Sequence, residues 1–171
     1  KLPKPKNILF FSNLMASKGI IYFLEASKTL LDLNKEVTIN IAGNFVSDHL
    51  KKAYQIKKDF YLNYDALKVK YKDRIQYLGL VTGNQKLKLL LNSNIFILPT
   101  FYPTEAFPIS IIEAMRTGNA IITTKHNYLH EIIDSKNGRL ISCHSTEEIV
   151  DALISLLGDQ NLLEQIQAHN I

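Results

Sequence analysis

Short apolar runs alternating with longer stretches of helical period constrain this chain more than any other feature. The runs are Asn7 to Ser12, Val37 to Ala42, Arg74 to Leu78, Ile95 to Leu98, Ala120 to Thr124 and Gly138 to Ile141. Most are near-continuously apolar, as strands buried on both faces are. Between the first two, Gly19 to Leu33 repeats Ile20, Phe23, Leu24, Leu30 and Leu31 at helical spacing, with Asn34 as its stop. Further helical stretches run from a Ser47 cap to about Lys72, from Asn84 to Leu91, from about Pro108 to Arg116, from Tyr128 to Asp134 and from Thr146 to Leu157. Strands that alternate with helices make βαβ units, whose crossovers are right-handed. The predicted fold is therefore α/β: a doubly wound, six-stranded parallel sheet of Rossmann-like type. Such sheets bind ligands beyond the carboxyl ends of their strands, so the loops after the first five strands are the candidates for chemistry.

The 171 residues suit one domain, taken as 7–171, behind Lys1 to Lys6, which reads as a Pro/Lys linker to something upstream. The N-terminus has no basic cluster followed by an apolar segment and a cleavage site, so no signal peptide is read. No apolar run nears the ~20 residues that span a bilayer. The lone cysteine, Cys143, excludes an internal disulfide and fits a reducing, cytoplasmic setting. Nothing around it makes a thiolate site, and it reads as a small residue beside a strand end.

The net charge of +4 suits a phosphate-bearing ligand or an anionic membrane surface and is too mild for nucleic acid. The basic stretch Lys51 to Lys72 interleaves Tyr54, Phe60, Tyr61, Tyr64 and Tyr71. That spacing reads as a solvated amphipathic helix rather than a nucleic-acid groove.

After the first strand comes Asn13-Leu14-Met15-Ala16-Ser17-Lys18-Gly19, which is neither a dinucleotide fingerprint nor a Walker loop. It places one lysine at the opening of a helix, where free amides and partial positive charge favour an anion. The plain alternative for Lys18 is a surface lysine. After the fourth strand comes Pro99 to Met115. Pro108 suits the first helical position, which leaves the amides of Ile109, Ser110 and Ile111 free for an anion. Glu113 lies one turn further, within the apolar run Ile109, Ile111, Ile112, Ala114 and Met115. A carboxylate there needs partners, and a ribose diol would supply two hydroxyl donors; its plain alternative is a solvent-facing helix residue. Glu105, just before the helix, is placed to reach a sugar beyond the phosphates; its plain alternative is a loop carboxylate at a helix start. His126 and His130, at i and i+4, lack a third ligand and read as loop and cap histidines.

Glu105-x7-Glu113-Ala114-Met115, with Gly118 and Ala120 to Thr124, resembles the E-x7-E segment of retaining glycosyltransferases of family 4. Ile8 to Gly19 is similar to that family's first strand and "KG" turn. Val37 to Asn44, Arg74 to Gly79, and Leu129 to Ile133 with Asn137-Gly138 follow its later blocks in order. The resemblance implies the C-terminal, donor-binding domain of a GT-B enzyme, with an N-terminal acceptor domain outside this chain. It implies that Lys18 contacts the donor diphosphate, Glu105 the transferred sugar as the catalytic contact, and Glu113 the ribose. Main chain from Ala106 and Phe107 through Pro108 to Ile109 would lie along phosphates and sugar, and backbone at Leu80 and Val81 would meet the base. Where the family often has arginine this chain has Asn13, a neutral and weaker donor. Ala106 and Pro108 stand where many members have glycine.

The donor so implied is a UDP- or GDP-sugar carrying a hexose. The resemblance implies no metal or other cofactor, and the absence of a D-x-D agrees with that. The implied work is synthesis of bacterial surface polysaccharide or glycolipid, at the inner face of the cell membrane through the other domain. A nucleotide-sugar epimerase of the same architecture and a non-catalytic interaction domain are the alternatives.

Overall fold

The computed structural model describes residues 6–33 and 36–171. Six strands form one all-parallel sheet: β1 (Lys6–Phe11), β2 (Val37–Ala42), β3 (Ile75–Tyr77), β4 (Ile95–Leu98), β5 (Ala120–Thr124) and β6 (Gly138–Ile141). Their order is β3-β2-β1-β4-β5-β6. Among the described residues seven α-helices flank it: α1 (Ile20–Asp32), α2 (Ala53–Tyr71), α3 (Gly83–Leu91), α4 (Ile109–Met115), α5 (Leu129–Ile132), α6 (Thr146–Gly158) and α7 (Gln160–His169). The chain reverses its winding between β1 and β4, which pair through Ile8 with Ile95 and Leu9 with Phe96. That reversal opens the crevice in which such folds bind ligands.

The doubly wound parallel sheet is as the apolar runs predict. Ile8, Leu9, Phe10, Ile39, Ile41, Ile95 to Leu98, Ile121 and Ile122 are all 0% exposed, because helices cover both faces. α1 buries Ile20, Phe23, Leu24, Leu30 and Leu31, the set its periodicity singles out, and Phe23 stacks on Phe10 at 5.5 Å. The basic stretch is helical too: α2 buries Ile56, Phe60, Tyr64 and Leu67 against the sheet and turns most of its lysines outward. No helix among the described residues is long and apolar enough to cross a membrane.

Several boundaries differ. β1 takes in Lys6, the last residue of the predicted linker; Lys1 to Pro5 and the predicted helix stop Asn34 lie outside the described residues. α2 begins at Ala53 rather than after Ser47, because Asp48 Oδ1 accepts from the amides of Leu50 and Lys51 and folds that segment into a turn. Ser47 still serves the helix, since its hydroxyl accepts from the Ala53 amide at 2.9 Å. α5 is shorter than predicted, and α7 has no counterpart in the prediction. Asp159 caps α7 by accepting from the Leu162 amide, and the helix buries Leu163 and Ile166.

Two glycines allow strand-end loops to touch. Gly43 sits at φ +138°, where a Cβ would lie 1.8 Å from the Ser12 carbonyl oxygen, and Gly19 at φ +79°, where it would lie 2.2 Å from that of Pro99. No other residue fits either contact.

Candidate functional site

The loops that follow β1 and β4 face each other across the winding reversal and form a cleft of about 380 Å³. Asn13, Lys18, Leu80, Glu105, Phe107, Pro108 and Ile109 line it, together with Phe11, Ser12, Gly43 and Ser110. The structure thus gathers most of the sequence-predicted site. Val81 is buried beside Leu80, and Ala106 is exposed; neither lines the cleft. A larger hollow of about 460 Å³ is walled by α1, α2 and the first residue of α6. The loops after β1 and β4 do not reach it, so its size says nothing about the chemistry at the strand ends.

Lys18 and Glu105 meet in the cleft as an ion pair, with side chains only 12% and 8% exposed. Glu105 Oε2 also accepts from the Thr100 hydroxyl at 2.8 Å. The Lys18 ammonium lies 5.1 Å from the centroid of the Tyr102 ring, a cation–π contact. The sequence places Glu105 just before a helix; the fold makes it a buried acid held from two sides. The loop carrying it is pinned in turn. Asn127 donates through Nδ2 to the carbonyls of Glu105 (2.9 Å) and Pro103 (3.0 Å). The His126 ring nitrogen Nε2 lies 2.8 Å from the Tyr102 carbonyl, a loop role as expected, and His130 is exposed.

The start of α4 corrects two expectations. Pro108 is the cap residue, extended at ψ 110°, rather than the first helical residue. Its carbonyl accepts from the Ile111 amide at 3.0 Å, so that amide is engaged. The amides of Ile109 and Ser110 keep no hydrogen bond among the described residues and stand at the cleft wall.

Glu113 is not enclosed by its apolar neighbours. Its side chain is 32% exposed and pairs with Lys86 of α3 at 2.6 Å, in a hollow of about 420 Å³ shared with Arg116 and Thr117. The Lys86 ammonium also lies 5.8 Å from the ring centroid of Phe11, a wall of the cleft, so the pair adjoins it. The carboxylate found the partner its position requires, in a lysine 27 residues away.

The sequence reading missed three participants. Lys86 and Thr100 carry no local signal, since each acts only through a tertiary contact. Asp48 looks like one more loop acid, yet it holds the Lys18 turn through Ser17 (2.7 Å). Cys143, two residues beyond β6, is half-buried.

Comparison with known proteins adds the following. The model of the family described as "Glycosyl transferases group 1" matches residues 1–170. An uncharacterized glycosyltransferase of Methanocaldococcus jannaschii is 27% identical over 163 residues, covering 94% of this chain and 38% of that protein. The chain therefore spans well under half the length of that relative. Among solved structures, the C-terminal domain of the glycosyl transferase group 1 family protein LpcC from Francisella tularensis superposes with a TM-score of 0.79 at 24% identity, covering 98% of this chain and 83% of that one. Anabaena HepE in complex with UDP and glucose superposes with a TM-score of 0.81 at 18% identity, covering 98% of this chain and 42% of that one. At these identities the structural likeness speaks for the fold, that of a GT-B C-terminal domain.

Proposed function

The chain belongs to the glycosyl transferases group 1 family, and from that premise we propose that its cleft binds the nucleotide-diphosphate sugar in a retaining transfer of the family 4 type. One observation carries the proposal: the loops after β1 and β4 set Lys18 against Glu105 in a cleft that also holds Asn13 and the segment Phe107 to Ile109. A cation, two unengaged amides and a buried acid in one crevice suit a guest with a diphosphate at one end and hydroxyls at the other.

In this reading Lys18 and the amides of Ile109 and Ser110 neutralise the diphosphate as its bond to the sugar breaks, a fixed electrostatic stabilisation that needs no metal. An ammonium has three N–H donors. Lys18 therefore keeps Glu105 in place with one and answers a phosphate oxygen with another. Glu105, steadied by Thr100, touches the transferred hexose. Glu113 accepts from the ribose hydroxyls after yielding part of its hold on Lys86, and backbone at Leu80 and Val81 meets the base. Ala106 and Phe107 lend main chain along the sugar. Asn13 adds a neutral contact where an arginine would add charge, so donor affinity is modest. The acceptor and any membrane contact belong to an N-terminal domain of the full-length enzyme. The product is a bacterial surface polysaccharide or glycolipid, made from a UDP- or GDP-hexose.

A thermal-shift screen of UDP-, GDP- and ADP-sugars tests the proposal, since a ligand bound only by the folded state raises Tm. A shift with one nucleotide class, diminished in Lys18→Ala, is the expected outcome. No shift with any of them at millimolar concentration would favour a non-catalytic interaction domain.

A further inference from the structure

Ser17 is fully buried, directly precedes Lys18, and has every polar group tied to another loop. Its amide and its hydroxyl both donate to Asp48 Oδ2, each at 2.7 Å, and its carbonyl accepts from the Phe101 amide at 2.7 Å. The other carboxylate oxygen of Asp48 accepts from the amides of Leu50 at 3.0 Å and Lys51 at 2.9 Å. Asp48 thus joins the loop after β2 to the loop after β1, and Ser17 joins both to the loop after β4.

The arrangement answers a need created by the sequence. The one-turn 3-10 helix Ala16–Lys18 starts at Met15, whose side chain cannot cap it. Amides at a helix start need an outside acceptor. Asp48 supplies it from 31 residues away. Only a carboxylate does this on both sides, because each of its oxygens accepts; an asparagine would turn an N–H₂ group toward other N–H groups on one side. Burial pushes the Asp48 carboxyl up, but the bonds from the Ser17 hydroxyl and amide and from the Lys51 and Leu50 amides outweigh it and hold the group below the usual carboxylate range.

We infer that Asp48 is a positioning residue for Lys18: it fixes the turn that presents the ammonium to the cleft, and through that turn it sets the diphosphate part of donor affinity. The inference rests on the donor reading above. Asp48 does not line the cleft, so its removal acts through the turn alone.

Titration calorimetry of the 171-residue chain with UDP and GDP, and chemical-shift titration with uridine and guanosine, separate the two ideas. Asp48→Ala weakens whichever diphosphate the wild type binds by about tenfold, as loss of hydrogen bonds to a charged group does, and leaves the matching nucleoside unchanged. Ser17→Ala keeps the amide bond, folds more securely, and shows the same selective loss at smaller size. Loss shared equally by diphosphate and nucleoside, or no loss in either variant, overturns the inference. A wild type that binds neither diphosphate sinks the donor reading instead. Hydrogen exchange then decides Asp48. The amides of Gly19 and Phe101, bonded to Ala16 and Ser17 carbonyls rather than to Asp48 itself, lose protection in Asp48→Ala if the turn depends on it and keep it if it does not.

Discussion

Replacing Lys18 with methionine removes the ammonium and keeps most of the stem. Glu105 is then left in its buried position with Thr100 as its remaining side-chain donor. Removing one partner of a buried ion pair costs about 3–5 kcal/mol, because the survivor keeps a charge that water no longer solvates. The pair keeps a little exposure and the Thr100 hydroxyl stays, which puts Lys18→Met near the lower end, about 3 kcal/mol. For a domain of this size about 2–4 °C of Tm is lost per kcal/mol, so the transition falls by about 6–12 °C. Adding Glu105→Gln removes the stranded charge and keeps an acceptor for Thr100, so the double variant recovers about 2 kcal/mol of the loss. Urea unfolding of the wild type, both single variants and the double, followed by circular dichroism, measures this cycle. Additivity within about 0.5 kcal/mol would refute the reasoning, since uncoupled residues are not holding one another.

Gly43→Ala is expected to destabilise by about 2 kcal/mol or more, read from the same unfolding curves, because a Cβ there meets the Ser12 carbonyl at 1.8 Å and the φ is positive. Glu113→Ala weakens nucleotide-diphosphate binding by about tenfold in calorimetry if it accepts from the ribose. Unchanged affinity removes that role. The Asp48 carboxyl is held below its ordinary 3.8, so its stabilisation is present above the unfolded value and is lost as pH falls through the folded one. Wild type should therefore lose more of its urea midpoint between neutral pH and pH ~3 than Asp48→Ala does. Parallel curves would exclude the effect.

The fold was legible because its signal is periodic and local. β2, β4, β5 and β6 begin and end where their apolar runs do. Misreadings arose where a side chain acts at a distance along the chain. Ser47 looks like an adjacent cap, yet it serves an amide six residues on because Asp48 turns the intervening segment. α7 escaped notice because Asp159 caps it directly behind α6, so two helices read as one ending. For the candidate site, Lys18 and Glu105 stood out in loops beyond strand ends and Glu113 as a carboxylate one turn into a helix, and the E-x7-E resemblance joined the two acids. Their pairings were invisible. Glu105 meets Lys18 across 87 residues, and Glu113 meets Lys86 across 27. Such pairings follow from strand order, which no window along the chain contains.

The two acids each come with their own counter-ion, Lys18 for Glu105 and Lys86 for Glu113. A polyanion arriving at this crevice meets no net repulsion from them. On the proposed reading its phosphates join Lys18 while Glu105 keeps its partner, so no lone charge is created in a dry place. A division of labour follows from that reading: Lys18 answers the guest's charge, and the two acids recognise its hydroxyl groups.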